Sequence, residues 1–420
     1  MVTIDSYERG QMEDGVECDI RKLIVEHGKI TFADFMEAAL FLPPGGYYTS
    51  RNHAKEKDYY TAPVAHPVFG ALVALQLKQM WERMGSPYPF YVLEVGAGSG
   101  VLAGDILAYS SSLQSGFSDA LEYIGIDYDV LKGSPNGAHL IKANGLPFRD
   151  VVGCVLSNEL FDAFPVHRFA IQDGRVKEVY VTLKEDEFTE ILEDPSTPRL
   201  EQRLSCLGFD LPEGFMGEVN LAMDDWINDL SQVLEQGFVL TFDYGHVAED
   251  MYSSVRARGT LRCYYRHILE GNPYRRIGLQ DITAHVDFTS LMRSGEEHGL
   301  ASVGYTTQKE FLLNMGFRGF LESIGERQLP QRELDANRMG MLELVKDGEM
   351  GDFKVCVQAK GFGYDSKLLG FDTDSPLRMS KDKKLPALPL LSTEHLDLMA
   401  GRYPHLSLEW EGLWPFGEEG

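Results

Sequence analysis

The sequence predicts an α/β fold: a mostly parallel sheet with helices on both faces, an N-terminal helical cap and a β-hairpin insertion. Three observations point there. Short apolar runs alternate with helical patterns through the middle of the chain, as parallel strands joined by crossover helices do. One of these runs, Tyr91-Val92-Leu93-Glu94-Val95, passes directly into Gly96-Ala97-Gly98-Ser99-Gly100 and then a helical start at Val101-Leu102. The runs that follow end in polar residues, and in such sheets a ligand sits at the carboxyl ends of the strands.

Composition sets the outer bounds. The chain has 420 residues, 44% of them hydrophobic and 25% charged, which suits a globular protein with a large core and about two to three domains. Its formal net charge of −25 would repel a phosphate backbone, so no nucleic-acid partner is expected. The plain reading of that charge is a solvated surface; the sharper one is a cationic partner, such as an arginine-bearing protein. Cys18, Cys154, Cys206, Cys263 and Cys356 are scattered and form no C-x-x-C pair, so neither a disulfide framework nor a metal site is expected. Residues 1–19 carry no apolar core and no Arg/Ser-rich amphipathic pattern, and a cytosolic location is expected. No apolar run reaches the length of a membrane span.

The cap, residues 1–90, should contain two helices within 19–42. The second starts at Thr31, an N-cap with Asp34 three residues on, and stripes Phe32, Phe35, Met36, Ala39 and Leu40 along one face. A long helix begins near Pro67 and carries Phe69, Val73, Leu77, Met80 and Trp81 at helical spacing. Between them, Tyr59-Tyr60-Thr61-Ala62-Pro63 has little packing logic of its own and reads as a lid contact.

The core should span residues 91–361. Alternating glycines after a buried strand let the backbone turn sharply and bring a ligand against bare main chain, at a helix N-terminus that favours negative charge. A strand over 121–126 then ends in Asp127, and one over 139–143 is followed by Asn144-Gly145-Leu146. The run 151–156 ends in Ser157-Asn158-Glu159. Four successive strand ends thus present glycines or polar groups. Residues 169–171 and 176–183 read as a hairpin with an Asp173-Gly174 turn, inside an insertion over about 166–217. An acidic run from Glu185 to Asp194 and a loop-rich stretch follow. These acids read as a solvated face or as a dock for a basic substrate. An amphipathic helix over 219–235 leads to a strand over 238–242 that ends in Asp243-Tyr244-Gly245-His246.

Arg256, Arg258, Arg262, Arg266, Arg275 and Arg276 reverse the local charge, with Glu270 the acid among them, which suits pairing with the acidic bulk or an anionic ligand. Residues 281–288 lead a helix that includes His285 and Asp287. A strand over 301–305, helices over 307–346 and a last strand over 353–358 complete the pattern. From 362 to 420 the sequence turns Pro-rich and charge-mixed and reads as an appended, partly flexible arm.

The glycine spacing narrows the ligand. The dinucleotide fingerprint is G-x-G-x-x-G, with an acid about 20 residues later. Here the third glycine comes one position early, Glu94 precedes the first by two, and the next strand-ending acid is Asp127. That variant is the one seen in class I S-adenosylmethionine (SAM) methyltransferases, whose sheet is Rossmann-like and seven-stranded.

The chain also resembles the MidA-like SAM-dependent methyltransferases. The stretches that carry the resemblance are Ile30-Thr31-Phe32-Ala33-Asp34-Phe35-Met36-Glu37, Gly46-Tyr47-Tyr48, Tyr60-Thr61-Ala62-Pro63, the glycine motif, Ser157-Asn158-Glu159-Leu160-Phe161-Asp162-Ala163-Phe164-Pro165-Val166-His167, Asp243-Tyr244-Gly245-His246, Gly259-Thr260-Leu261-Arg262 and Asp281-Ile282-Thr283-Ala284-His285-Val286-Asp287-Phe288. Together they cover residues 22 to about 361. Lys57-Asp58 departs from the family's usual Gly-Asp, His66 stands where a small polar residue is usual, and the arm has no counterpart.

The resemblance implies SAM as cofactor and methylation of a protein arginine, with a respiratory-complex subunit as a candidate substrate. It implies that Gly96, Gly98 and Gly100 admit the methionine end, with Glu94 fixing the turn or a water near it. Asp127 would take the ribose hydroxyls, Asn144, Gly145 and Leu146 would flank the adenine, and Asn158 would line the methionine or the methyl-transfer mouth. Guanidinium nucleophiles favour paired carboxylates that grip the fork, because the group stays protonated at any ordinary pH. Glu159 and Asp162 are the first candidates for that grip, Asp243 and His246 the second, His285 and Asp287 the third. An assembly factor that acts through contacts and a small-molecule methyltransferase are the alternatives.

Overall fold

The computed structural model describes residues 15–50, 60–113, 116–128, 138–265, 268–361, 363, 367–379, 386–393 and 395–396. They divide into two compact units. The first takes the described residues of Met1–His53, Phe161–Ile227 and Gly245–Ser294; the second takes those of Ala54–Leu160, Asn228–Tyr244 and Gly295–Gly420. The helices that precede the glycine turn therefore fall in both.

The second unit is built on seven strands: β1 (Phe90–Val95), β2 (Leu121–Asp127), β3 (His139–Lys142), β4 (Val151–Asn158), β5 (Leu234–Asp243), β6 (Ala301–Thr307) and β7 (Lys354–Lys360). Their order across the sheet is β6-β7-β5-β4-β1-β2-β3. β7 runs antiparallel to both of its neighbours, and the pairs from β5 to β3 are all parallel. This is an α/β methyltransferase-like fold with a mixed sheet. Order reverses at β1 and β4, where a crevice opens at the strands' carboxyl ends in sheets of this kind. β1 and β4 are central, which explains why both read as nearly continuous apolar runs.

Helix Val68–Arg83 covers one face, one residue later than its sequence pattern suggests because Pro67 serves as the N-cap. Phe69, Val73, Leu77 and Met80 are fully buried, and Phe242 on β5 meets Phe69 and Phe311 edge-on, at 5.1 and 5.3 Å between ring centres. Tyr60, read as a lid residue, is half-buried against this same core, with Ala62 and Pro63 beneath it; Tyr59 lies outside the described residues.

Segments of the C-terminal stretch also pack here. Leu369 and Gly370 donate their N–H groups to Gln79 and Gln76 at 2.8 and 3.0 Å, and buried His395 meets Asp105 at 3.0 Å. The Pro-rich composition hides this, because the partners are helical side chains about 290 residues away.

The first unit centres on an antiparallel sheet in the order Ile30–Thr31, Arg175–Lys184, His167–Gln172, Met216–Val219, with Glu187–Glu193 added to Arg175–Lys184. The hairpin turn is the expected Asp173-Gly174, both in left-handed backbone with φ of 52° and 66°. Thr31 caps Phe32–Phe41 with the full reciprocal box: the Asp34 N–H donates to Thr31 Oγ1, and the Thr31 N–H to Asp34 Oδ2.

Two expectations change. The acidic run holds a strand, Glu187–Glu193, and the stretch read as loop holds helix Pro198–Ser205. Residues 281–287, read as the lead of a helix, form strands Asp281–Thr283 and Val286–Asp287 before helix Phe288–Glu297 begins. Their partners, Arg262–Tyr265 and Gly245–His246, are too distant in sequence for a local pattern to reveal.

Candidate active site

In the second unit the glycine turn leaves β1 with Gly96, Gly98 and Gly100 all in left-handed backbone, at φ of 76°, 51° and 79°. A side chain would have open space at Gly98, so the backbone conformation, rather than crowding, demands glycine there. Gly96 and Ala97 anchor the turn to the Ile126 carbonyl at 2.9 and 3.2 Å, and Gly100 caps helix Val101–Ser110. Asp127, at the end of β2, receives the Gly98 N–H on Oδ2 at 2.8 Å. One residue passed over in the sequence belongs to this architecture. Gly125 lies under the turn, where a Cβ would come within 2.9 Å of Ala97 Cβ.

Glu94 is buried beneath the turn and accepts the Tyr123 hydroxyl at 2.9 Å. Burial pushes its carboxyl up to about 8, a rise that the Tyr123 hydrogen bond opposes and the nearby Asp127 charge reinforces. It is therefore a largely protonated acid near neutral pH. Tyr123 pairs in register with Val92, two residues before Glu94, which brings the two side chains to one face of the sheet. Asn144 and Gly145 are exposed and Leu146 is half-buried in the loop after β3, and the Ala143 N–H ties that loop to the Asp127 carbonyl at 3.0 Å.

The neighbouring strand end is tighter. Asn158 closes β4; its Oδ1 is buried without a hydrogen-bond partner among the described residues, and its Nδ2 donates to Glu159 Oε1 at 3.2 Å. Glu159 then takes φ of 51°, a left-handed conformation costly for a residue with a Cβ. Three hydrogen bonds hold the corner. The Glu159 N–H donates to the Phe242 carbonyl at 2.8 Å, and Asp243, fully buried, accepts the N–H groups of Leu160 and Tyr244 at 3.1 and 2.9 Å. Asn158, Glu159 and Asp243 are thus brought together, with Asp243 engaged by backbone.

The first unit holds the other candidates. Asp162 is buried in the short helix Phe161–Ala163, and its carbonyl accepts the Ala284 N–H at 2.9 Å. Strand Gly245–His246 runs parallel to Val286–Asp287, and the rings of His246 and His285 lie 5.2 Å apart. Asp287 caps helix Phe288–Glu297 through both the N–H and hydroxyl of Ser290, at 3.1 and 2.6 Å. Burial raises its carboxyl above the usual range.

A residue that sequence reasoning missed ties this region together. Glu218, buried, accepts the Thr260 N–H and hydroxyl at 2.7 and 3.1 Å, and Thr260 Oγ1 in turn accepts the His285 N–H at 3.1 Å. A Cβ at Gly259 would fall 2.1 Å from Glu218 Oε1, the signal carried by the Gly259-Thr260 motif. Of the basic stretch, Arg256 bonds the Asp250 carbonyl and Arg276 covers the Tyr265 ring at 4.4 Å, while Arg266 lies outside the described residues.

The profile of a family described as "Putative S-adenosyl-L-methionine-dependent methyltransferase" matches residues 72–306, which include the glycine turn, Asp127, Glu159 and Asp243. The chain belongs to this family. It is 28% identical over 370 residues to the Drosophila melanogaster protein named protein arginine methyltransferase NDUFAF7 homolog, mitochondrial, covering 79% of this chain and 82% of the relative. The human protein arginine methyltransferase NDUFAF7, mitochondrial, is 27% identical over 367 residues, covering 78% and 79%. A crystal structure from Burkholderia thailandensis bound to S-adenosyl-homocysteine superposes with a TM-score of 0.74 at 28% identity, covering 88% of this chain and 97% of that one.

The protein is a SAM-dependent methyltransferase. The residues present suit that cofactor: positive-φ glycines bare the main chain, Asp127 offers a carboxylate suited to a diol, and Asn158 holds an unspent buried acceptor. The cytosolic location expected from the N-terminus is overturned by the fly, rat and human relatives, which are named mitochondrial. Among the described residues no helix is long and apolar enough to cross a membrane.

Proposed function

We propose that this methyltransferase acts on a guanidinium nitrogen of a protein arginine, with a class I, Rossmann-like cofactor site. Relatives named as protein arginine methyltransferases support the acceptor, and the single antiparallel strand β7 at its place in the sheet supports the class. The observation that carries the reading is Glu159, held in strained left-handed backbone at the carboxyl end of β4, beside the strand that feeds the glycine turn. Strain of this kind persists where surrounding structure over-determines it, and it clusters at functional sites. A respiratory-complex subunit is the substrate that the family resemblance implies.

When bound, SAM supplies a methyl group already activated by its sulfonium. Gly96, Gly98 and Gly100 border its methionine end, and Asp127, oriented by the Gly98 N–H, accepts the ribose hydroxyls. Asn144, Gly145 and Leu146 would flank the adenine, and Asn158 Oδ1 would accept from the ammonium group. Glu159 would grip two guanidinium N–H groups and draw positive charge toward them, which would leave the third nitrogen's electron pair more available as a nucleophile. Asp243 is the positioning residue of that corner.

Transfer of labelled methyl from SAM to arginine-containing peptides tests the reading. Glu159→Gln should reduce transfer at least about 100-fold and leave SAM affinity within a few-fold. Retained turnover would remove Glu159 from the chemistry, and label found only in small molecules would overturn the protein acceptor.

A further inference from the structure

The hairpin insertion of the first unit borders an open groove of about 1120 Å³. Its floor is apolar. Ile171 and Val176 flank the Asp173-Gly174 turn, and with Leu204 and Leu211 they continue the core of Phe169, Leu200 and Phe215 out to the surface. Phe209, on the lip, leaves 38% of its surface in solvent. Aromatic side chains are enriched where proteins recognise one another.

The rim is acidic: among the described residues, Asp194, Glu201, Asp210 and Glu213 line it against the single cation Arg175. Two of these acids are already spent. Asp194 pairs with Lys177 at 2.7 Å, and Glu213 accepts the N–H groups of Asp173 and Gly174 at 3.0 and 3.1 Å. Glu201 and Asp210 have neither an ion pair nor a hydrogen bond among the described residues, and both are exposed.

The nearby acidic run is different. Asp186 meets Arg21 at 3.1 Å, Glu190 meets Arg168, and Glu193 meets Lys29. The chain's own cations thus pair Asp186, Glu190 and Glu193, whereas Glu201 and Asp210 of the groove are left to an outside partner.

We propose that this groove docks a cationic segment of the methylated protein, one apolar side chain seating against Phe209 and Leu211 while flanking lysines or arginines face Glu201 and Asp210. The proposal rests on the protein-acceptor reading above. Exposed charge pairs are individually weak and screened by salt, so the docking should be modest in affinity and sensitive to salt.

Fluorescence anisotropy of the full chain with a fluorescein-labelled peptide of alternating lysine and leucine, against its glutamate–leucine counterpart, tests this. The cationic peptide should bind saturably and lose affinity in high salt. Glu201→Lys combined with Asp210→Lys should weaken it at least about tenfold, and Phe209→Ser about fivefold, with SAM affinity and melting temperature unchanged.

Equal binding by the charge-reversed chain, equal binding of the acidic peptide, or no saturable binding would overturn the proposal. So would a concentration-dependent dimer that the charge reversal abolishes, which would give the groove to a second copy of the chain. Because the readout is binding, loss of methyl transfer to proteins would sink the acceptor reading separately, and failed docking with intact transfer would sink only the groove.

Discussion

The turn after β1 and the corner after β4 both bend the chain into left-handed backbone at the carboxyl end of a strand, and they do so by opposite means. In the first, Gly96, Gly98 and Gly100 adopt positive φ without steric cost. In the second, Glu159 adopts φ of 51° against its own preference, and Phe242 and Asp243 hold the corner with hydrogen bonds at 2.8–3.1 Å. The glycine turn gives up side chains to let a ligand approach. The Glu159 corner keeps a side chain in the same backbone region. Left-handed backbone at a residue with a Cβ persists where surrounding structure holds it, here through Phe242 and Asp243.

Substitutions can break this contrast. The largest effect should come from Glu159→Gln, which preserves shape and removes charge, so transfer collapses while SAM still binds. Gly98→Ala should act on the other half, weakening SAM about 10- to 100-fold in a calorimetric titration because the turn would relax out of φ 51°. Unchanged affinity would mean that the turn is not the binding element.

Glu94 sharpens the comparison through pH. Its carboxyl rises from an ordinary 4.5 to about 8 in the folded protein, so the folded state binds the extra proton. Stability should then be unaffected below about pH 4.5, fall as pH climbs toward 8, and level off above it. Glu94→Gln keeps a partner for Tyr123 and should abolish that decline, a relative gain on the order of 2 kcal/mol at pH 9 in denaturant titrations. An identical pH profile in both proteins would remove Glu94 as the source. The smallest effect is the most diagnostic: Glu159→Gly should raise stability by about 0.5–1 kcal/mol while abolishing transfer, the mark of strain kept for function. A destabilised Glu159→Gly would show that the corner stores none.

Much of the second unit was legible because its signals are local. The glycine spacing, the apolar runs ending at Asp127 and Asn158, and the helix carrying Phe69 and Leu77 depend on φ preferences and on periods of two or 3.6 residues. The Asp173-Gly174 hairpin and the Thr31 cap were legible for the same reason. The strands at Asp281–Thr283 and Glu187–Glu193 were not, since what makes them strands is a partner elsewhere in the chain. Glu218 escaped notice because only the fold brings it to Thr260.

What the sequence determined by itself is therefore the frame: strands, turns, the glycine cradle and the polar residues at the ends of its strands. Tertiary structure decided how each polar residue is used. It raised the Glu94 carboxyl by burying it, against the opposing hydrogen bond from Tyr123, turned Asp243 toward the backbone of Leu160 and Tyr244, and strained Glu159. It also neutralised Asp186, Glu190 and Glu193 while leaving Glu201 and Asp210 to solvent. The physical reason is that backbone conformation answers to near neighbours in the chain. The charge state and pairing of a side chain answer to burial and to partners that arrive from tens or hundreds of residues away.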